Sequence, residues 1–183
     1  MVNVKKRGFK ITTLDNKIFH LRKFFIFFIL FLTLDQVSKI LVRSFCDPGK
    51  SYSIIGNFFR ISFVENPGAV FGISIGSNSI NKIIFTSVSF IAIGFLIYLF
   101  SKSDHPAAKF GFTLILSGAV GNLIDRITFG KVTDFLDFDF PDFLVRRWYT
   151  FNIADSCIVV GVIILIIFYT FFENNEKHKN NLS

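Results

Sequence analysis

Apolar residues in this chain gather into four long blocks separated by short polar stretches. The first runs from about residue 24 to 42 and is broken only by Asp35-Gln36-Val37-Ser38-Lys39. The second, Ile83 to Phe100, holds no charge, and the third, about 107 to 124, contains Lys109 near its start and Gly111, Gly118 and Gly121 within it. The fourth spans about Asn152 to Phe172 around the run CIVVGVIILIIFYTFF. A helix rises about 1.5 Å per residue and needs roughly 20 residues to cross the hydrocarbon core, so each block predicts a membrane-crossing helix. Thr113, Ser117 and Gly121 fall four apart on one small-residue face, which lets a neighbouring helix approach closely and places the third helix centrally in the bundle.

Two segments lie between blocks on one side of the membrane, about 43–80 and 125–151. In the first, Phe59, Ile61 and Phe63 alternate with Arg60, Ser62 and Val64 before the turn signal Asn66-Pro67-Gly68, which predicts a small sheet at the membrane surface. The second carries Asp125, Asp134, Asp137, Asp139 and Asp142, with Pro141 between the last two. In FLDFDFPDF the acids alternate with Phe, so Asp137, Asp139 and Asp142 are expected to be solvated on an interfacial strand. The expected organisation is a basic extension over 1–23, one membrane domain over 24–172 and a polar tail over 173–183.

Composition agrees with lipid as the solvent. Of 183 residues, 51% are hydrophobic, 18% are charged and 27 are Phe, with a mean hydropathy of +0.54, which excludes an ordinary soluble domain. The net charge of +7 points away from nucleic acid, because Lys5, Lys6, Arg7, Lys10, Lys17, Arg22 and Lys23 all precede the first block. Basic flanks of this kind stay in the cytoplasm, and an even number of crossings returns the tail there too. The N-terminus resembles a secretory signal, but no small-residue cleavage site follows, so the first span is read as uncleaved. Cys46 and Cys157 are the only cysteines; Cys157 sits within an apolar run, and no disulfide is expected.

Candidate chemistry follows by elimination. His20, His105 and His178 all fall on the cytoplasmic side, which leaves no histidine dyad or histidine-based zinc site outside. Carboxylates remain. By helical rise Asp35, Asp125 and Asp155 come to one level near the outer face, and ionisable residues within apolar helices usually face the bundle interior and mark a site. Asp35 and Lys39 have the spacing of an intrahelical ion pair. Asp125, beside Arg126 at a helix end, reads as a neutralised interfacial anchor. Asp155 has no adjacent cation and enters an apolar helix, as a protonatable acid requires, although an acid favoured by the helix dipole explains it as well. Asn122 and Asn152 each stand three residues before an acid. These considerations leave open whether Asp125 or Asp134 partners Asp155.

Five motifs, DQVSK, ENPGAVFG, GAVGNLIDR, KVTDFLDF and FNIADS, occur in this order and resemble the lipoprotein signal peptidase family, also called signal peptidase II. The resemblance covers about residues 24–170. It implies a four-helix aspartyl protease of the bacterial inner membrane, with a small extracytoplasmic sheet cradling the substrate. The family cleaves prolipoproteins before a diacylglyceryl-modified cysteine without a metal, and for this chain neither a cofactor nor an obligate protein partner is expected. Carried over motif by motif, Asp134 and Asp155 are the catalytic pair. Asn66, Gly68, Asn122, Arg126 and Asn152 bind substrate, while Asp35 and Lys39 match the first-helix motif. Pro67 and Val70 depart from the family's pattern. The rival reading, a proton-coupled transporter, needs carboxylates spread through the membrane, whereas the inner halves of the second and fourth spans carry none.

Overall fold

In the computed structural model of the protein, residues 5–68, 77–139 and 149–173 are described. Helix α1 (Lys5–Phe45) leads into a hairpin of β1 (Ser51–Ile55) and β2 (Phe59–Asn66). Helices α2 (Asn78–Lys102) and α3 (Pro106–Phe129) follow, then β3 (Val132–Phe138) and α4 (Ile153–Ile167), whose end winds on as a π-helix over Phe168–Glu173. From Lys5 onward the basic extension and the first span are therefore one continuous helix. Four stretches are long and apolar enough to cross a membrane: Leu21–Phe45, Ser79–Lys102, Pro106–Phe129 and Ile153–Phe171. Their outward side chains, such as Phe25, Ile91 and Ile166, are more than half exposed, as lipid-facing residues are.

Local chemistry sets the helix boundaries. The Ser77 side chain caps α2, and His105 caps α3 ahead of Pro106, whose missing N–H costs nothing in a first turn. Gly130 ends α3 at φ 75°, a left-handed conformation that turns the chain directly into β3. Helix α3 touches each of the other three helices. Glycines make that possible. A Cβ on Gly118 would overlap the Ala154 carbonyl, and one on Gly121 would lie 2.5 Å from Asp35 Oδ2, so α4 and α1 approach α3 at backbone distance. The small face expected from Thr113, Ser117 and Gly121 is present, with Gly111 and Gly118 extending it towards α4.

The sheet runs β1-β2-β3, all antiparallel. The expected alternation in β2 breaks at a bulge between Ile61 and Val64, so the neighbours Ser62 and Phe63 are both buried. Phe63 and Phe135 pack with Val42 of α1, seating the sheet on one end of the bundle. Full burial of such side chains contributes about 1.5–3 kcal/mol each. A second cluster of Ala108, Phe112 and Phe168 ties α3 to the end of α4. Cys46 and Cys157 are free thiols.

One expectation about the sheet is corrected. Asp137 is buried, accepting a hydrogen bond from Ser62 Oγ at 2.6 Å with Arg60 Nε 3.9 Å away. The bulge turns Ser62 inward and supplies the partner that lets this carboxylate leave water. Asp139 stays partly exposed beside Arg60, and Asp142 lies outside the described residues, as does Val70.

Candidate active site

Strand β3 and the start of α4 bring the acids together. Residue Phe151 pairs with Leu136, its N–H and carbonyl exchanging hydrogen bonds at 3.1 and 2.7 Å, so the chain entering α4 runs beside β3. Asn152 then caps α4. Its Oδ1 accepts the Asp155 N–H at 2.9 Å, and Asp155 Oδ2 accepts the Asn152 N–H at 3.2 Å, a reciprocal capping box. Asp155 is thus a helix-start acid, as one reading of the sequence had it, but its second oxygen faces elsewhere: Oδ1 accepts Asn122 Nδ2 at 2.8 Å.

Asp134 sits on β3 opposite Val64 of β2. Its Oδ1 accepts Asn152 Nδ2 at 2.7 Å and its Oδ2 accepts Asn66 Nδ2 at 3.0 Å. Asn152 therefore touches both carboxylates, through its amide to Asp134 and its backbone to Asp155. Only 3% of Asp134 is exposed. That burial, with the nearby charge of Asp155, pushes its carboxyl up to about 7, against the pull of the Asn66 and Asn152 hydrogen bonds and the Lys39 charge. A cavity of about 240 Å³ opens onto it, lined by Val64, Glu65, Asn66, Pro67, Asp134, Tyr149 and Thr150. The turn after β2 closes one side: Gly68 N–H donates to Asn66 Oδ1 at 3.0 Å, and Arg126 Nη2 reaches the Gly68 carbonyl at 3.4 Å.

Beneath this pair lies a second layer, in which Asp35, Lys39 and Asp125 are fully buried. Lys39 and Asp35 form the expected ion pair at 2.9 Å. Asp125 is not an interfacial anchor: it is fully buried, 3.5 Å from Lys39 Nζ and 3.3 Å from Arg43 Nη1, and its Oδ2 accepts the Thr133 N–H at 2.9 Å. The reason is that α3 runs on to Phe129, so Asp125 lies one turn inside its end and faces α1. The predicted site residues Asn66, Gly68, Asn122, Arg126, Asp134, Asn152 and Asp155 all fall in one region. Sequence reasoning missed Arg43 and Thr133. Arg43 continues the face of Asp35 and Lys39 at a spacing of four, a signal that was readable. Among the described residues no group of three His, Cys, Asp or Glu side chains stands arranged to hold a metal ion.

Four membrane-crossing helices, with a small sheet over one end, a buried carboxylate, Asp134, beside an open cavity and a half-buried one, Asp155, tied to it through Asn152, define a multi-pass membrane protein with an acidic site. The chain belongs to the signal peptidase (SPase) II family, whose model matches residues 27–172. It is 44% identical over 154 residues to a lipoprotein signal peptidase of Borreliella afzelii (strain PKo), covering 81% of this chain and 89% of that one. A second, from Moorella thermoacetica, is 40% identical over 142 residues, covering 78% and 89%. A solved structure described as a bacterial membrane enzyme superposes with a TM-score of 0.72 at 30% identity, covering 82% of this chain and 94% of that one. These comparisons give the transporter reading no support.

Proposed function

We propose that this protein is a lipoprotein signal peptidase that hydrolyses prolipoproteins just before a diacylglyceryl-modified cysteine, with Asp134 and Asp155 as an aspartyl pair. The observation that carries the reading is Asn152, whose side-chain amide donates to Asp134 and whose backbone N–H donates to Asp155, so that one residue ties both carboxylates to the region of the cavity. Family membership and the relatives' activity support the substrate class.

Two neighbouring carboxylates shielded from water do not both ionise easily, so the pair shares one proton. One takes a proton from a water attacking the scissile carbonyl while the other gives its proton to the carbonyl oxygen, and the roles reverse as the peptide bond breaks. Arg126 is a preorganised donor for the extended substrate backbone and the developing oxyanion, while the Asn66 and Asn122 amides donate to the pair itself, at Asp134 Oδ2 and Asp155 Oδ1. The membrane domain is assigned to 24–172, between the basic extension 1–23 and the tail 173–183. Both termini are cytoplasmic and the pair lies near the outer face, a topology supported by the seven basic residues ahead of the first span.

The test uses purified protein in lipid with a diacylated prolipoprotein peptide and its unlipidated counterpart. Cleavage of the lipidated peptide alone is expected. Equal cleavage of both would remove the lipid from the substrate definition, and cleavage of neither would overturn the reading.

A further inference from the structure

Lys39 has no exposed surface, and its ammonium reaches three oxygens: Asp35 Oδ2 at 2.9 Å, Asn122 Oδ1 at 2.9 Å and Asp125 Oδ2 at 3.5 Å. An ammonium only donates, so the amide that faces it must present its oxygen. This settles which way Asn122 lies, with Oδ1 towards Lys39 and Nδ2 towards Asp155 Oδ1 at 2.8 Å. The flipped amide would set N–H against ammonium and oxygen against carboxylate. Asn122 Oδ1 also accepts Asn152 Nδ2 at 3.2 Å, and the same Nδ2 donates to Asp134 Oδ1 at 2.7 Å, so the orientation is passed on to the second carboxylate.

The two acids that Lys39 holds each take a backbone N–H beside one member of the pair. Asp35 Oδ1 accepts from Ala154, next to Asp155, at 2.9 Å, and Asp125 Oδ2 accepts from Thr133, next to Asp134, also at 2.9 Å. As a source of stability alone this buried cation has little to recommend it, because desolvation offsets much of its attraction to the acids. We infer that Lys39 is a positioning residue for the reaction: it orients the Asn122 amide towards Asp155 and clamps together the β3 and α4 segments that carry Asp134 and Asp155. The inference rests on the reading of these two as the catalytic pair.

The test is a double-mutant cycle on protein in lipid, with kcat and KM for the diacylated peptide measured per folded molecule. Lys39→Met leaves two buried acids short of a cation and folds poorly on this account. Asp35→Asn/Lys39→Met restores the charge balance and keeps an oxygen for the Ala154 N–H, with Asp35→Asn alone as reference. Relative to that reference the pair is expected to lose roughly 10–100-fold in kcat, the scale of a misplaced catalytic group, with KM changed less than about threefold. Lys39→Arg, still a pure donor, is expected to retain more kcat than the Met variant.

Asn122→Ala is expected to lose kcat comparably, and adding it to the charge-balanced pair to cost no more than about twofold further, because both act through one amide. Full kcat in folded Asp35→Asn/Lys39→Met, or losses that multiply in the combined variant, would overturn the inference. Asp134→Asn is measured alongside. If it cleaves normally the catalytic reading itself falls; if it is dead while the charge-balanced pair works, only the role of Lys39 does.

Discussion

At the scale of single residues, the carboxylates proposed for the reaction differ from those that hold the fold together. Asp134 binds its proton more tightly in the folded protein than in the unfolded chain, since its carboxyl is raised to about 7. Its contribution to stability is therefore complete below the ordinary carboxylate range and is lost as pH climbs through about 7. Asp134→Asn is expected to raise the melting temperature relative to wild type at pH 8 by a few degrees and to have little effect at pH 4; at about 1.4 kcal/mol per pKa unit the difference is readily measured in a pH series of thermal unfolding. An unchanged or opposite trend would contradict the buried environment described for this group. Cleavage should also decline above about pH 7, as the shared proton is lost. Asp35 instead serves the fold: it pairs with Lys39 and accepts the Ala154 N–H, so Asp35→Ala should cost about 3–5 kcal/mol by leaving a buried cation underpaired. Chemical denaturation together with activity per folded molecule separates the two effects, stability falling more than turnover.

At the scale of elements, the site depends on how closely α3 approaches its neighbours. Gly118 lies against the Ala154 carbonyl, one residue from Asp155, so any side chain there pushes the start of α4 away from Asn122. Gly118→Val is expected to lower both melting temperature and kcat, and Gly94→Val, where nothing lies within 4 Å, to change neither. Similar behaviour of the two variants would show that the close approach does not matter. The four membrane-crossing stretches were legible because lipid demands long apolar runs, and their limits differ from the expected ones by a few residues, although the first helix begins far earlier, at Lys5. The alternation in β2 announced a strand but not its bulge, since a bulge is set by pairing with β3 and leaves no local pattern. The burial of Asp137 depended on that bulge, and FLDFDF by itself reads equally well as a solvated strand.

At the scale of the whole molecule, polar groups lie in two tiers at one end of the bundle: Asp35, Lys39, Asp125 and Arg43 beneath, Asp134 and Asp155 above, joined by Asn122 and Asn152. Sequence depth assigned Asp35, Asp125 and Asp155 to a single level, whereas Asp35 and Asp125 gather around Lys39 and Asp155 meets Asn122 and Asn152. That division depends on where β3 returns, and β3 is positioned by its pairing with β2 and Phe151. Only the ordered motifs singled out Asp134. Topology is open to a direct test: a tag after residue 183 should be reached by cytoplasmic reagents, and exclusive access from outside would require an odd number of crossings. The central claim is tested most directly by the cleavage of a diacylated prolipoprotein in lipid by Asp134→Asn, Asp155→Asn, the double variant and Asp125→Asn, each measured per folded molecule. Asn preserves size and hydrogen bonding but cannot exchange the proton. Each single variant of the pair should lose nearly all activity, the double should be hardly worse because the two act as a unit, and Asp125→Asn should cleave. An inactive, folded Asp125→Asn beside a normally active Asp134→Asn would contradict the assignment of the pair.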